Sequence, residues 1–477
     1  MLNKNSLFWT YRKLETATGG NWFVSPAENL MNSPLHTISF DSRDIKPGDV
    51  FIAIQGVEKN GHEYIDTAIR NGASTVIASD LSFLQSVTIP TLIVKNTQVA
   101  LESLGIYVRE NISAQRIAIT GSVGKTSTKD LLYHMLSSQA LTWANKRSFN
   151  NLWGVPITLA NMPADTKYGI FEIGTNHEGE IEPLTKQVTP DICLITTIGS
   201  AHLGNFPSFN HLLVEKVAIA KGLVPGGKIV LPKDHPNFKE LSSLAIKNGA
   251  SEIYTFGYHE KSNMRIIKDR PDLAGLVVKF SNSSLTLEKK IPLYGKHWAY
   301  NIAAALSIGY LLGANIKNML ESVSTFSEPQ GRGKIYHLLV PSETTKKFLF
   351  VDQTYNSNPQ SVAIAMETLG NIPARSTGRR IAILGDMTEV GNEKESLEYH
   401  AKLSDFIDTE KIHTLITIGA FSKALYNEIK NRPITCIHFN TNDHAIDFLK
   451  TYIEENDILM AKASNSLNFC EILQAFL

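Results

Sequence analysis

Short apolar runs rich in β-branched residues recur along this chain, and between them apolar positions repeat at helical spacing. Runs at 49–54, 75–78 and 91–94 predict strands, with helical character at 64–71 between the first two. A second group starts with Ile117-Ala118-Ile119 and continues at 169–173, 192–196 and 228–231. Helices are predicted there over 128–137, with Leu131, Leu132 and Met135 on one face, and over 212–220 and 301–312. After the turn-forming stretch Ser327-Glu328-Pro329-Gln330-Gly331-Arg332-Gly333 come strands at 348–351, 381–384 and 414–418, and helices at 360–369 and 395–406. Strands alternating with helices predict an α/β fold with mostly parallel, wound sheets. The expected domains are a small N-terminal α/β domain at 1–110, a central domain at 111–326, and a C-terminal Rossmann-like domain at 327–477.

A length of 477 residues exceeds one ordinary core, which fits that division. Acidic and basic residues balance at 46 each, so no bulk charge recommends nucleic acid or an anionic membrane as partner. Cys193, Cys436 and Cys470 are too few and too scattered for a disulfide framework, and they point to a reducing compartment. No apolar stretch reaches the length of a membrane span and the first residues lack a signal-peptide core, so the expected location is cytoplasmic.

The chemistry is concentrated after the 117–119 run, in Thr120-Gly121-Ser122-Val123-Gly124-Lys125-Thr126-Ser127. A strand, a glycine-bearing loop and a helix in that order form a phosphate-binding loop. Backbone N–H groups and the helix N-terminus face the anion, Lys125 reaches the terminal phosphates, and the Thr126 hydroxyl is offered to Mg²⁺. The glycine spacing is short: two residues separate Gly121 from Gly124-Lys125, where the common pattern has four. Taken alone, the run reads either as a variant nucleotide-binding loop or as a glycine-rich strand-to-helix turn.

Further polar residues sit where strands should end. Glu172 lies in an apolar run, either as an edge-strand glutamate facing water or as a carboxylate that is paired or metal-bound. His202 follows the 192–196 run, as a hydrogen-bonded loop residue or a ligand. With Thr126, these two come from one edge of one parallel sheet and suit one or two Mg²⁺ ions beside the loop. Asp352-Gln353-Thr354-Tyr355-Asn356-Ser357-Asn358-Pro359 and Leu384-Gly385-Asp386-Met387-Thr388-Glu389-Val390-Gly391 occupy the corresponding positions in the third segment, where open sheets bind ligands and ordinary turns also form.

Together these motifs resemble the Mur ligases, the ATP-dependent amide ligases that build the peptidoglycan peptide. The resemblance spans nearly the whole chain. It includes Asp41-Ser42-Arg43 with Pro47-Gly48-Asp49-Val50-Phe51 and Gly61-His62, the short phosphate loop, and Phe149-Asn150-Asn151 before Gly154-Val155-Pro156. Glu172-Ile173-Gly174 and Ala201-His202-Leu203 extend it, while the Tyr355 and Gly385 motifs are similar to those of the branch that adds D-Ala-D-Ala.

The resemblance implies ligation of D-Ala-D-Ala to UDP-MurNAc-tripeptide through an acyl phosphate, with ATP and Mg²⁺. It implies catalytic roles for Lys125, Lys216, His202 and Glu172, with Thr126, Glu172, His202 and Lys216 (as a CO₂-derived carbamate) holding the metal. ATP would be bound by Gly121 to Ser127, including Ser122 and Val123, and by Asn301, Arg332 and Asp352. Ser42 and Arg43 are implied at the uridine diphosphate end, Asn150 and Asn151 on the substrate, and Asn356, Asn358 and Asp386 around the dipeptide. From the residues alone, Lys216 reads as a solvated helical lysine and Arg332 as an exposed linker arginine. A monomer is expected, with no nucleic acid and no membrane insertion. Four departures from the family pattern stand out: Gln353 for an acid, Trp298 for an asparagine, Asn465 for an arginine, and Gly204-Asn205 after Ala-His-Leu. A paralogue acting on another acyl substrate, as in folylpolyglutamate synthesis, is argued against by the Tyr355 and Gly385 motifs. A nucleotide-dependent switch leaves His202, Lys216 and a third domain without a reason.

Overall fold

The computed structural model describes residues 8–56, 59–146, 148–199, 205–272, 275–341, 343, 345–374, 377–388 and 390–477. Among these, the strands form three sheets of five, nine and six strands, and the expected α/β class with mostly parallel strands holds. In the first sheet the predicted strands are Val50–Ile52, Thr75–Ala78 and Thr91–Ile93. Two short, unpredicted strands flank them: Ile38–Ser39, parallel to Val50–Ile52, and Asn21–Val24, antiparallel to Thr91–Ile93.

The central sheet runs, in space, Thr286–Ile291, Gly275–Ser281, Met264–Asp272, Glu252–Gly257, Lys228–Pro232, Ile192–Ile195, Gln115–Thr120, Tyr168–Glu172, Thr142–Ala144. Its core strands are parallel and almost wholly buried, which is why they were legible as continuous apolar runs. The edge from 264 to 291 is an antiparallel meander of half-buried strands with interleaved charges, a pattern the sequence reading left unassigned. Gln115–Thr120 lies between Ile192–Ile195 and Tyr168–Glu172, so the loops leaving the carboxyl ends of these three strands converge.

The third sheet has the order Lys334–Leu339, Lys347–Asp352, Ile458–Lys462, Arg380–Gly385, Thr414–Ile418, Thr435–Phe439, parallel except at its first strand. The predicted 360–369 helix spans Pro359–Asn371, and the predicted 395–406 helix is Glu393–Lys402 followed by a 3₁₀ turn. Both start on asparagine capping boxes, at Asn358 and Asn392.

The first two sheets share one continuous hydrophobic core, in which Leu101 and Leu104 of helix Thr97–Asn111 join Val155 and Leu159 of helix Gly154–Ala160. The Trp9 indole donates to the Ala160 carbonyl at 2.7 Å, and the Asn161 side chain bonds both the N–H and the C=O of Ile38. The third sheet has cores of its own, one on each face.

Candidate active site

The phosphate-loop segment has a geometry that only its glycines permit. Gly121 sits at φ 148°, and a Cβ there would meet the Thr196 hydroxyl at 2.0 Å. Gly124, at φ 84°, caps helix Lys125–Ser137, which therefore begins three residues earlier than the apolar periodicity indicated. The strand next door fixes the loop: Ser122 N–H donates to Thr197 C=O at 2.8 Å, Ser122 Oγ to Gly199 C=O at 3.1 Å, and Thr196 Oγ1 to Val123 C=O at 2.7 Å. Lys125 Nζ folds back onto the Gly121 carbonyl at 2.7 Å. The N–H groups of the helix's first turn have no intrahelical acceptors, and residues 122–127 line a cavity of about 1300 Å³.

Glu172 ends its strand in the wall of this cavity and is 1% exposed, so it is not the water-facing edge glutamate that the sequence also allowed. One carboxylate oxygen accepts from Asn150 Nδ2 at 2.7 Å, while Oε2 has no partner among the described residues. A buried oxygen with nothing to accept from suits a cation. Its main chain is held by Asn145, which accepts from Glu172 N–H at 2.7 Å, and Asn145's own carbonyl accepts from buried Lys129 at 2.8 Å. Lys129 also pairs with Asp130 at 3.0 Å. Among the described residues no cluster of three or more His, Cys, Asp or Glu side chains is found. Thr126 lines the same cavity.

Lys216 is fully buried in helix Phe209–Val217, and its Nζ has no hydrogen-bond partner among the described residues. The solvated surface lysine suggested by the residues alone is thus corrected: the helix packs that face inward. Neighbouring Glu215 is already engaged, accepting from Gly179 N–H at 2.9 Å and Ile181 N–H at 2.8 Å. Burial, and next the charge of Lys125, hold the Lys216 amine well below its ordinary pKa, and Glu215, Glu180 and Glu172 only partly counter this. A neutral, buried amine among carboxylates is the form that adds CO₂. Lys221, by contrast, is a surface lysine paired with Glu182.

The opposite wall comes from the third sheet. Arg332 is not the free linker arginine; its guanidinium lies 3.8 Å over the Tyr355 ring and donates to Ser148 Oγ at 3.2 Å, while Tyr355 OH donates to the same Ser148 at 2.8 Å. Arg332, Gln353, Asn356 and Asn358 all line the cavity, as do Asn150, Asn151 and Asn301. Asn301 faces the loop so closely that a Cβ on Gly124 would meet its Oδ1 at 3.3 Å. Asn151 is partly occupied in accepting from Trp153 and Gly154 at the start of the next helix.

Two residues read as ligand-facing instead hold the protein's own backbone. Asp352 is fully buried, accepting from Gly331 N–H at 2.7 Å and from Thr354, so it shapes the loop that carries Arg332. Asp386 accepts from the N–H and hydroxyl of Ser422, both at 2.7 Å, at the start of a helix. Neither lines the cavity. Ser42 is buried and Arg43 is exposed in a pair with Asp41 at 2.6 Å; both lie outside it. Phe40, just before them, packs on Phe149 and on Trp153, and Trp153 lines the cavity. His202, with Ala201 and Leu203, lies outside the described residues, as does Glu389.

Sequence reasoning passed over Lys129, Asn145, Ser148 and Lys462. Their signal is spatial: each acts through a partner at least 16 positions away in the chain or across the domain boundary. Near Lys462 only Asn465 was singled out, as a departure from the family pattern.

Three comparisons bear on this arrangement. Residues 34–113, 119–309 and 340–465 match, respectively, the Mur ligase family catalytic domain, the Mur ligase middle domain and the Mur ligase glutamate ligase domain. A UDP-N-acetylmuramoyl-tripeptide–D-alanyl-D-alanine ligase of Rickettsia prowazekii is 30% identical over 98% of this chain and 100% of its own length. The Escherichia coli K12 protein of the same name is 27% identical over 92% of this chain and 93% of its own. A crystal structure of MurF from Acinetobacter baumannii superposes with a TM-score of 0.83 at 26% identity, covering 98% of this chain and 99% of that one. With all three segments matched and a relative 30% identical along nearly its whole length, the chain belongs to the Mur ligase family.

Proposed function

We propose that this chain is an ATP-dependent ligase that joins D-Ala-D-Ala to UDP-MurNAc-tripeptide in peptidoglycan precursor synthesis. The supporting observation is one cavity shared by the phosphate loop, Glu172 and the third-domain loop from Tyr355 to Asn358. The names of the full-length relatives point to the same reaction. The substrate carboxylate attacks the γ-phosphorus of ATP, forming a C–O–P linkage as the β–γ bond breaks and ADP leaves. The dipeptide amine then attacks the acyl carbon, and the tetrahedral intermediate collapses with loss of phosphate and a proton.

Until the amine arrives the reacting groups are all anionic, so catalysis is mainly positioning and charge neutralisation. Lys125 and the N–H groups of residues 122–127 hold the phosphates, while Asn301 and Arg332 flank the nucleotide. Thr126, Glu172, His202 and Lys216 as a carbamate would hold Mg²⁺, which when bound neutralises phosphate charge. The fit rests on the orphaned Glu172 oxygen and the partnerless Lys216 amine; carbamylation turns that amine from a cation source into an anion. Asn150 fixes Glu172, and Ser148 gives the third domain a docking point through Arg332 and Tyr355. Asp352 and Asp386 act by shaping the loops that meet ATP and dipeptide. Ser42 and Arg43 receive the uridine diphosphate end.

The same reading divides the chain at 1–110, 111–326 and 327–477, supported by three sheets that span 21–93, 115–291 and 334–462. It makes the protein a cytoplasmic monomer, in keeping with the lack, among the described residues, of any helix long and apolar enough to cross a membrane. The test is identification of the product by mass spectrometry. UDP-MurNAc-pentapeptide should form with D-Ala-D-Ala and not with single amino acids. Lys216→Ala should lose at least about 10²-fold in kcat. Depleting CO₂ should inactivate the wild type reversibly, with bicarbonate restoring activity to the wild type and not to Lys216→Ala. Full activity in Lys216→Ala would remove the carbamate from the account.

A further inference from the structure

Resting on the reading of the third domain as the dipeptide's side of the cavity, we propose that Lys462 binds the free carboxylate of the incoming dipeptide and so turns its amine toward the acyl phosphate. Lys462 ends strand Ile458–Lys462, at the carboxyl edge of the third sheet, and is only 3% exposed while still lining the cavity. Its Nζ donates to the Asn356 carbonyl at 2.7 Å, which aims the amine and leaves two further N–H donors. Arg332, the other cation on this wall, is committed to the Tyr355 ring and to Ser148.

Charge on the cavity walls is segregated. Glu172, Glu180, Asp234 and Asp269 line the middle-domain side. On the third-domain side the lining acid is Glu367, already paired with Lys296 at 3.3 Å. Gln353 puts a neutral amide where the family pattern has an acid. Among the described residues no third-domain carboxylate is left to meet the buried Lys462 amine where it faces the cavity, and its pKa is drawn down to about 7, first by burial and then by Arg332. A carboxylate entering there supplies the missing counter-charge. The dipeptide is a zwitterion: with its carboxylate on Lys462, its amine points to the acidic middle-domain wall and the electrophile beside Lys125. Binding in the reverse sense would set the amine against Lys462 and Arg332 and the carboxylate against Glu172.

The experiment measures steady-state kinetics of the full-length enzyme with ATP and UDP-MurNAc-tripeptide, using D-Ala-D-Ala or its C-terminal amide as acceptor. Loss of one charge-assisted hydrogen bond predicts a KM about 10–100-fold higher for the amide than for the acid in the wild type. Lys462→Met should raise the KM for the acid by a similar factor, abolish the preference for acid over amide, and leave the KM for ATP within about twofold. Lys462→Arg should keep the preference. Equal KM values for acid and amide in the wild type, retained preference in Lys462→Met, or a loss that falls on ATP instead would each overturn the assignment while the functional reading stands. No turnover of either acceptor by the wild type would overturn that reading and this assignment with it.

Discussion

Two buried lysines, Lys129 and Lys216, show how differently one residue type is treated on either side of the site. Lys129 Nζ is satisfied by the Asn145 carbonyl and the Asp130 carboxylate, and through Asn145 it sets the main chain of Glu172. Lys216 Nζ has no partner among the described residues, which is costly unless the group is neutral or modified. Lys129→Met removes a buried cation and leaves Asp130 uncompensated. The expected loss is about 2–3 kcal/mol by denaturant unfolding, below the ~3–5 of a fully buried pair because the Asp130 side chain is 31% exposed. In the double variant Lys129→Met/Asp130→Asn much of that stability should return while kcat stays low, since Asn145 is still released. Recovery of both together would reduce Lys129 to a structural charge. The burial of neither was legible in the residues: Lys216 read from them as a solvated helical lysine and was marked only by the family resemblance, and Lys129 was passed over, because burial of a long side chain depends on which helix face packs inward and against what.

At the scale of elements, the strand–loop–helix unit from Gln115 to Ser137 was the clearest part of the sequence, and the reason is physical. A strand buried on both faces must be a continuous apolar run, and a loop that turns back under Thr196 must carry glycine. Gly121→Ala tests that reading. Its new methyl group would collide with the Thr196 hydroxyl and the Thr197 carbonyl, displacing the Ser122 contacts that hold the loop. A displacement of about 1 Å predicts roughly a 10²-fold fall in kcat/KM for ATP, with secondary structure unchanged by circular dichroism. Activity within a few fold of wild type would mean that the loop does not set the phosphate position. The meander from 264 to 291 and the last strand, Ile458–Lys462, escaped the sequence reading for opposite reasons. The meander is half-exposed and its strands carry alternating charges; the last strand is short and ends in lysine and small residues that resemble a loop. That omission hid Lys462, whose position beside Asn356 exists only once the third sheet has formed.

Across the whole molecule, the first two domains are joined by a shared apolar core, whereas the third keeps cores of its own, with Tyr294 of the second domain packed against one of them. Trp9, Asn161 and Arg109 tie the first domain to the second by side-chain bonds to main chain, over a continuous hydrophobic interior. Arg332, Tyr355 and the Lys296–Glu367 pair bring the third domain against the cavity, beside the turn-rich connection at 327–333. An interface held by such polar contacts can open to admit substrates and then close, excluding water from the acyl phosphate. The division into three α/β units was legible from the spacing of apolar runs, but the unequal strength of the two junctions was not, because it depends on side chains from distant segments. This arrangement makes turnover conditional, since the phosphate loop, the acyl substrate and the third-domain wall must meet before ATP is consumed productively. The most direct measurement is the rate of phosphate release from ATP by the full chain, with UDP-MurNAc-tripeptide and D-Ala-D-Ala each supplied alone and then together. The account predicts sustained release only when both are present, saturating in each. Release that proceeds at the same rate without either substrate would contradict it.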